Sequence, residues 1–280
     1  MSAVNRVFVA GDGNWNTAAS WSPAAVPLVT DNLWFGPDSP TMTTGPTTTN
    51  QDVLLGNITT HPLYRGNICA SGSPMIISAA KILIQHPGDF FFQAHAGGAS
   101  NHTAKIIVRC PSKNLGQKIE LGQSATDPGE IDYVKVYRGN VTLTDATGLN
   151  EVHTDFIDNP TGDAELTINS GVATIPLLKA LGGRVHCSTT VTALHCDGAV
   201  FRQLLATITN LYGGAGTVEF NTPGTIALAQ IGGSLHLDLT QDVNAKVITL
   251  LETSGNSRIS KFADSALHLI TAWNDYRRAA

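Results

Sequence analysis

Six times in its second half the chain sets a glycine directly before a short run that alternates apolar and polar residues, at Gly139, Gly171, Gly183, Gly198, Gly216 and Gly233. Gly183-Arg184-Val185-His186-Cys187 and Gly216-Thr217-Val218-Glu219-Phe220 are typical. Alternation with a period of two is the mark of a half-buried strand, and a glycine at its start marks a corner. The units begin 32, 12, 15, 18 and 17 residues apart. That is close to the length used by one coil of short strands and turns, if the first gap holds two coils. The expected fold is therefore all-β, a right-handed parallel β-helix in which each coil stacks on the next. The competing reading is a β-sandwich, which would more often show hairpin dipeptides and cross-strand aromatic pairs; aromatics here are only 6%.

The pattern divides the chain. Residues 1–36 read as an irregular, Trp-rich N-terminal cap with a first strand at Asn32-Leu33-Trp34-Phe35, and residues 37–50 as a Thr/Pro-rich loop. Residues 51–253 form the body, with apolar runs such as Lys81-Ile82-Leu83-Ile84 and Lys105-Ile106-Ile107-Val108. In residues 254–280 the period changes: Ile259, Phe262, Ala263, Ala266, Leu267, Ile270, Trp273 and Tyr276 recur at steps of three and four, which predicts an amphipathic helix over 257–277. A solenoid exposes an apolar cross-section and unpaired strand edges at each end. The predicted helix is an end cap or, through Phe262, Leu267, Ile270, Trp273 and Tyr276, a docking element for a neighbouring subunit.

Lys and Arg number 17 against 22 Asp and Glu, a formal charge of −5. Phosphate neutralisation needs a basic surface, so neither nucleic acid nor an anionic membrane is an expected partner. No secretory signal is read at the N-terminus and no apolar run approaches bilayer length. Cys69, Cys110, Cys187 and Cys196 lack Cys-x-x-Cys spacing and are expected to be reduced and mostly buried.

Candidate chemistry is sparse. The acidic stretch His153 to Glu165 offers Asp155 and Asp158 as a carboxylate pair for glycoside cleavage, and Asp158, Asn159, Asp163 and Glu165 as hard oxygens for a cation. Asp, Asn, Pro and Gly are equally the residues of a solvated turn, and that is the expectation. His186-Cys187 and His195-Cys196 repeat a His-Cys pair, but neighbours on a strand point to opposite faces and do not converge on one metal. Neither a metal nor a cofactor is expected.

The N-terminal stretch Gly13-Asn14-Trp15 … Trp21-Ser22 … Val26-Pro27 with Asp31 before Leu33-Trp34-Phe35 resembles the opening of right-handed β-helix proteins found in autotransporter-type adhesins and in virion proteins of tailed bacteriophages. It covers about 25 residues and speaks to fold rather than activity. The resemblance implies that Trp15 and Trp21 cover the first coil, that Pro27 fixes an extended approach, and that Asp31 ties the turn before the first strand. With no secretory signal or membrane barrel read in the chain, the bacteriophage branch is the expectation. It implies a non-enzymatic virion protein, assembled in the host cytoplasm, most simply a head decoration or cement protein bound to major capsid subunits. A tail fibre or spike that binds or cleaves host surface polysaccharide is the alternative. Partners are then other virion proteins, further copies of the chain, or a host glycan.

Overall fold

The computed structural model describes residues 3–9, 12–47, 51, 53–95, 102–111, 116–122, 130–155, 164–262 and 268–276. They fall into two compact units, residues 1–149 and 150–280, each built from parallel β-ladders.

In the first unit, one ladder stacks β1 (Asn5–Phe8), β3 (Asn32–Phe35), β4 (Leu54–Thr60), β6 (Ser78–Ile84), β9 (Ile106–Arg109) and β12 (Tyr133–Leu143), all parallel. A second stacks β5 (Met75–Ile76), β7 (Phe90–Gln93), β10 (Ile119–Leu121) and the end of β12. Two-residue strands β8 (His102–Thr103) and β11 (Glu130–Ile131) add a third parallel contact. The exception is β2 (Trp21–Ser22), which runs antiparallel along β1. In-register stacking puts Leu33, Ile58, Ile82, Ile106 and Val134 in one buried column. Each fully buried side chain of this kind contributes roughly 1.5–3 kcal/mol. Arg6 heads that column, and its charge is met by Asp31, Nε to Oδ2 at 2.5 Å, both side chains being almost wholly buried.

Aromatics fill the rest of this interior. Trp15 meets Trp21 edge-on at 5.0 Å, Trp21 meets Phe8 at 5.0 Å, and the series continues through Phe35, Tyr64, His86 and Phe90. Edge-to-face and tilted pairs at these separations are favourable beyond their area. The 37–50 segment is more than a loop: Met42 is fully buried and bridges Ile68, and Thr44 bridges Asn14.

In the second unit, one ladder stacks β13 (Glu151–Thr154), β15 (Ile175–Ala180), β17 (Val191–Gln203), β18 (Ile208–Phe220), β19 (Gly224–Ile231), β21 (Lys246–Thr253) and β23 (His268–Asp275). The other stacks β14 (Ala164–Ile168), β16 (Arg184–Cys187), the second halves of β17 and β18, β20 (His236–Asp238) and β22 (Arg258–Ser260). Arg184, Val200, Thr217, His236 and Arg258 share one column, so successive coils advance by 16, 17, 19 and 22 residues. Long strands β17 and β18 serve both ladders by turning at Gly198 (φ 106°) and Gly216 (φ 95°). A Cβ on Gly216 would lie 2.3 Å from the Ala199 carbonyl oxygen, so only glycine fits that corner.

The C-terminal helix expected over 257–277 is replaced by strands: β22 and β23 join the two ladders. The reason lies in the coil geometry. The buried residues of β21 are Lys246, Ile248, Leu251 and Thr253, with two outward residues in succession, Thr249 and Leu250, between the second and third. β23 pairs in the same register, placing Ile270 over Ile248 and Trp273 over Leu251. Steps of two, three and two add up to seven, and so imitate a helical repeat.

Candidate functional site

The outward face of the first ladder in unit 1 carries columns set by the same register. One reads Asn5, Asn32, Asn57, Lys81, Lys105, Tyr133, and its neighbour reads Val7, Trp34, Thr59, Leu83, Ile107, Lys135. The asparagines form a ladder: Asn32 Nδ2 donates to Asn5 Oδ1 at 3.0 Å and Asn57 Nδ2 to Asn32 Oδ1 at 2.9 Å. Trp34 is 37% exposed between the small side chains of Val7 and Thr59, with its ring edge near His61 at 5.6 Å. The three asparagines, Trp34, Thr59 and Lys81 line a groove of about 540 Å³. Farther along, the Lys105 ammonium lies 4.7 Å from the Tyr133 ring centre, and Lys135 and Arg109 lie over Tyr137 at 4.5 and 5.8 Å. Cation–π contact of this kind holds such side chains in place over the rings.

In unit 2 the outward face of the second ladder reads Glu165, Arg184, Val200, Thr217, His236, Arg258 in one column. The next reads Thr167, His186, Arg202, Glu219, Asp238, Ser260. Arg202 and Glu219 form an ion pair at 2.6 Å, and His236 Nε2 lies 2.8 Å from Ser260 Oγ. A Ser–His pair is a stronger nucleophile where a third group orients the imidazole. Asp238 is the neighbouring carboxylate. Burial works against its charge, yet the Thr240 backbone N–H and hydroxyl and the Gln241 amide donate to it and lower its pKa. Its oxygens are engaged there, and the Ser–His contact joins β20 to β22 across one rung.

Comparison with family models, curated proteins and solved structures finds no match to this chain. The residues themselves carry what can be said of function.

Asp155 follows β13, but Asp158, Asn159 and Asp163 lie outside the described residues, so neither the carboxylate pair nor the cation set has a described geometry. Glu165 lies on β14 beside Arg184 in register. Among the described residues no group of three His, Cys, Asp or Glu side chains converges as metal ligands. The His-Cys pairs split as strand alternation requires: Cys187 and Cys196 are buried while His186 and His195 face outward, His195 against Tyr212 at 4.9 Å. Burial pushes all four thiols up to about 12. Among the described residues no helix is long and apolar enough to cross a membrane.

Trp15 and Trp21 are wholly buried, Trp21 Nε1 donating to the Trp15 carbonyl at 2.9 Å, and Pro27 is buried near them in sequence. Asp31 accepts from the Val4 and Leu28 backbone N–H groups at 3.1 and 3.0 Å, fixing the turn before β3. Burial raises its pKa, but the Leu28 N–H and the Arg6 guanidinium outweigh it and hold the carboxyl below its ordinary value.

Of the residues expected on a docking helix, Leu267 lies outside the described set. Phe262 stacks on His268 at 5.0 Å, and Ile270 and Trp273 sit in the inward columns of β23. Trp273 Nε1 donates to Thr253 Oγ1 at 3.0 Å, and the Tyr276 N–H donates to the Thr253 carbonyl at 2.8 Å. Trp273 is nevertheless 44% exposed, with Leu269 and Tyr276 about half exposed beside it. The basic, aromatic face of unit 1 escaped sequence reading because its members come from strands 24 to 28 residues apart, as in Asn57, Lys81, Lys105 and Tyr133. A column reading at that spacing would have found it.

Proposed function

We propose that the chain is a right-handed parallel β-helix serving as a non-enzymatic structural component of a tailed-bacteriophage virion, a head decoration protein seated on neighbouring capsid subunits. The right hand is supported by the strong chirality of parallel strand crossovers. The observation that carries the reading is β23. Its inward positions Ile270 and Trp273 continue two buried columns, and there Ile270 is half-buried and Trp273 44% exposed, with Leu269 and Tyr276 about half exposed on the same strand end. An apolar cross-section of this kind is where an assembled neighbour is expected to sit. Heads lacking the protein should release their DNA at a lower temperature than complete heads, and release at the same temperature overturns the reading.

A second reading, a tail-type protein that binds host surface polysaccharide, is favoured by the Asn, Trp34 and Lys81 groove. Its cleaving version rests on Asp155 and Asp158 and requires that Asp155→Asn or Asp158→Asn abolish oligosaccharide release.

A further inference from the structure

The two outward columns of the first ladder in unit 1 hold Lys81, Lys105 and Lys135, with Arg109 next along β9, and contain no Asp or Glu at any of their positions. This is a strong segregation in a chain whose acids outnumber its bases by 22 to 17. Lys81 and Lys105 have no ion-pair partner among the described residues. At the other end of the same face Trp34 presents a partly exposed indole, and the asparagine ladder leaves Asn5 Nδ2 and Asn57 Oδ1 without hydrogen-bond partners among the described residues.

We propose that this face binds an acidic, carboxylate-bearing glycan laid along the stacking direction. The three kinds of group correspond to three parts of one ligand. A flat indole accepts the C–H face of a pyranose ring, amides pair with vicinal hydroxyls as donor and acceptor at once, and ammonium groups meet the carboxylates. The rungs repeat at about 4.8 Å, a rise close to that of one sugar in an extended chain, so successive rungs address successive units. A nucleic acid would offer stackable bases and anions too, but its dense phosphate charge needs many more cations than this face presents.

The proposal deepens the polysaccharide-binding reading by naming the glycan class and the face. The test is titration of the full chain with polygalacturonate, with dextran as the neutral glycan and a single-stranded DNA as the other polyanion. Trp34→Ala and the double variant Lys81→Gln/Lys105→Gln are compared with the parent, with circular dichroism confirming that each is folded. Polygalacturonate should bind, more weakly as salt rises, and each variant should lose roughly tenfold or more in affinity, with dextran bound much less tightly. Polygalacturonate binding that both variants leave unchanged overturns the face. Dextran bound as well as polygalacturonate overturns the acidic class while the polysaccharide-binding reading stands. DNA bound more tightly than polygalacturonate overturns the glycan assignment, and no binding of either glycan overturns this proposal and that reading together.

Discussion

His86 sits wholly buried in the aromatic series of the first unit, between Tyr64 and Phe90. Its Nδ1 lies 3.0 Å from Thr60 Oγ1 and its Nε2 3.4 Å from the Asp89 carbonyl. Burial disfavours the imidazolium and moves the pKa from 6.5 to about 4. The unfolded chain therefore binds the proton more readily. The stability held by neutral His86 is complete above pH 6.5 and is lost as pH falls toward 4, about 3 kcal/mol in all. Chemical denaturation at pH 4.5 and 7 should show this loss, and His86→Phe should remove most of the difference between the two values. At this scale much was legible: strand alternation separated each His from its Cys, and Asp31 was recognised as a turn-fixing residue before β3. The aromatic interior was not, because a 6% aromatic content looks too thin for a core when averaged over the chain. Trp15, Trp21, Phe8, Phe35, Tyr64 and Phe90 are concentrated in the first third.

Strands β19, β21 and β23 share a bend made by two successive outward residues, Ala227 and Leu228, Thr249 and Leu250, Thr271 and Ala272. Because the bend repeats rung after rung, it adds one residue to every strand and shifts the apolar period from two toward three and a half. Periodicity alone could not tell this from a helix; only the partner strand decides. The same stacking makes Leu251 fully buried beneath Trp273. Leu251→Ala should cost about 2–5 kcal/mol in thermal or chemical unfolding. Trp273→Ala, half open to solvent, should cost about 1 kcal/mol or less in the isolated protein. A lid helix resting loosely on the last coil would not produce so large a contrast.

For the whole molecule, the glycine-led runs were enough to read a parallel, coiled all-β fold, since Gly198, Gly216 and Gly233 all take positive φ at the corners. Coil length was readable only in the second unit, where it begins at 16 or 17 residues; the longer coils of the first unit hide their repeat behind turns of varied length. Net charge was a poor guide to surface. A sum of −5 says nothing of how the stacking order sorts lysines onto one side of a ladder. Cys69 and Cys110 lie in the first unit, Cys187 and Cys196 in the second, all buried and unpaired. A chromogenic disulfide reagent should therefore find almost no reactive thiol in the native protein and four after denaturation; rapid reaction of two would reveal that one unit opens independently.

Antiparallel β2 lies across the edge of β1 that a further parallel rung would need. A strand added there in parallel would have to displace Trp21 and Ser22 from Phe8 and Val7, so the ladder is capped over that half of β1.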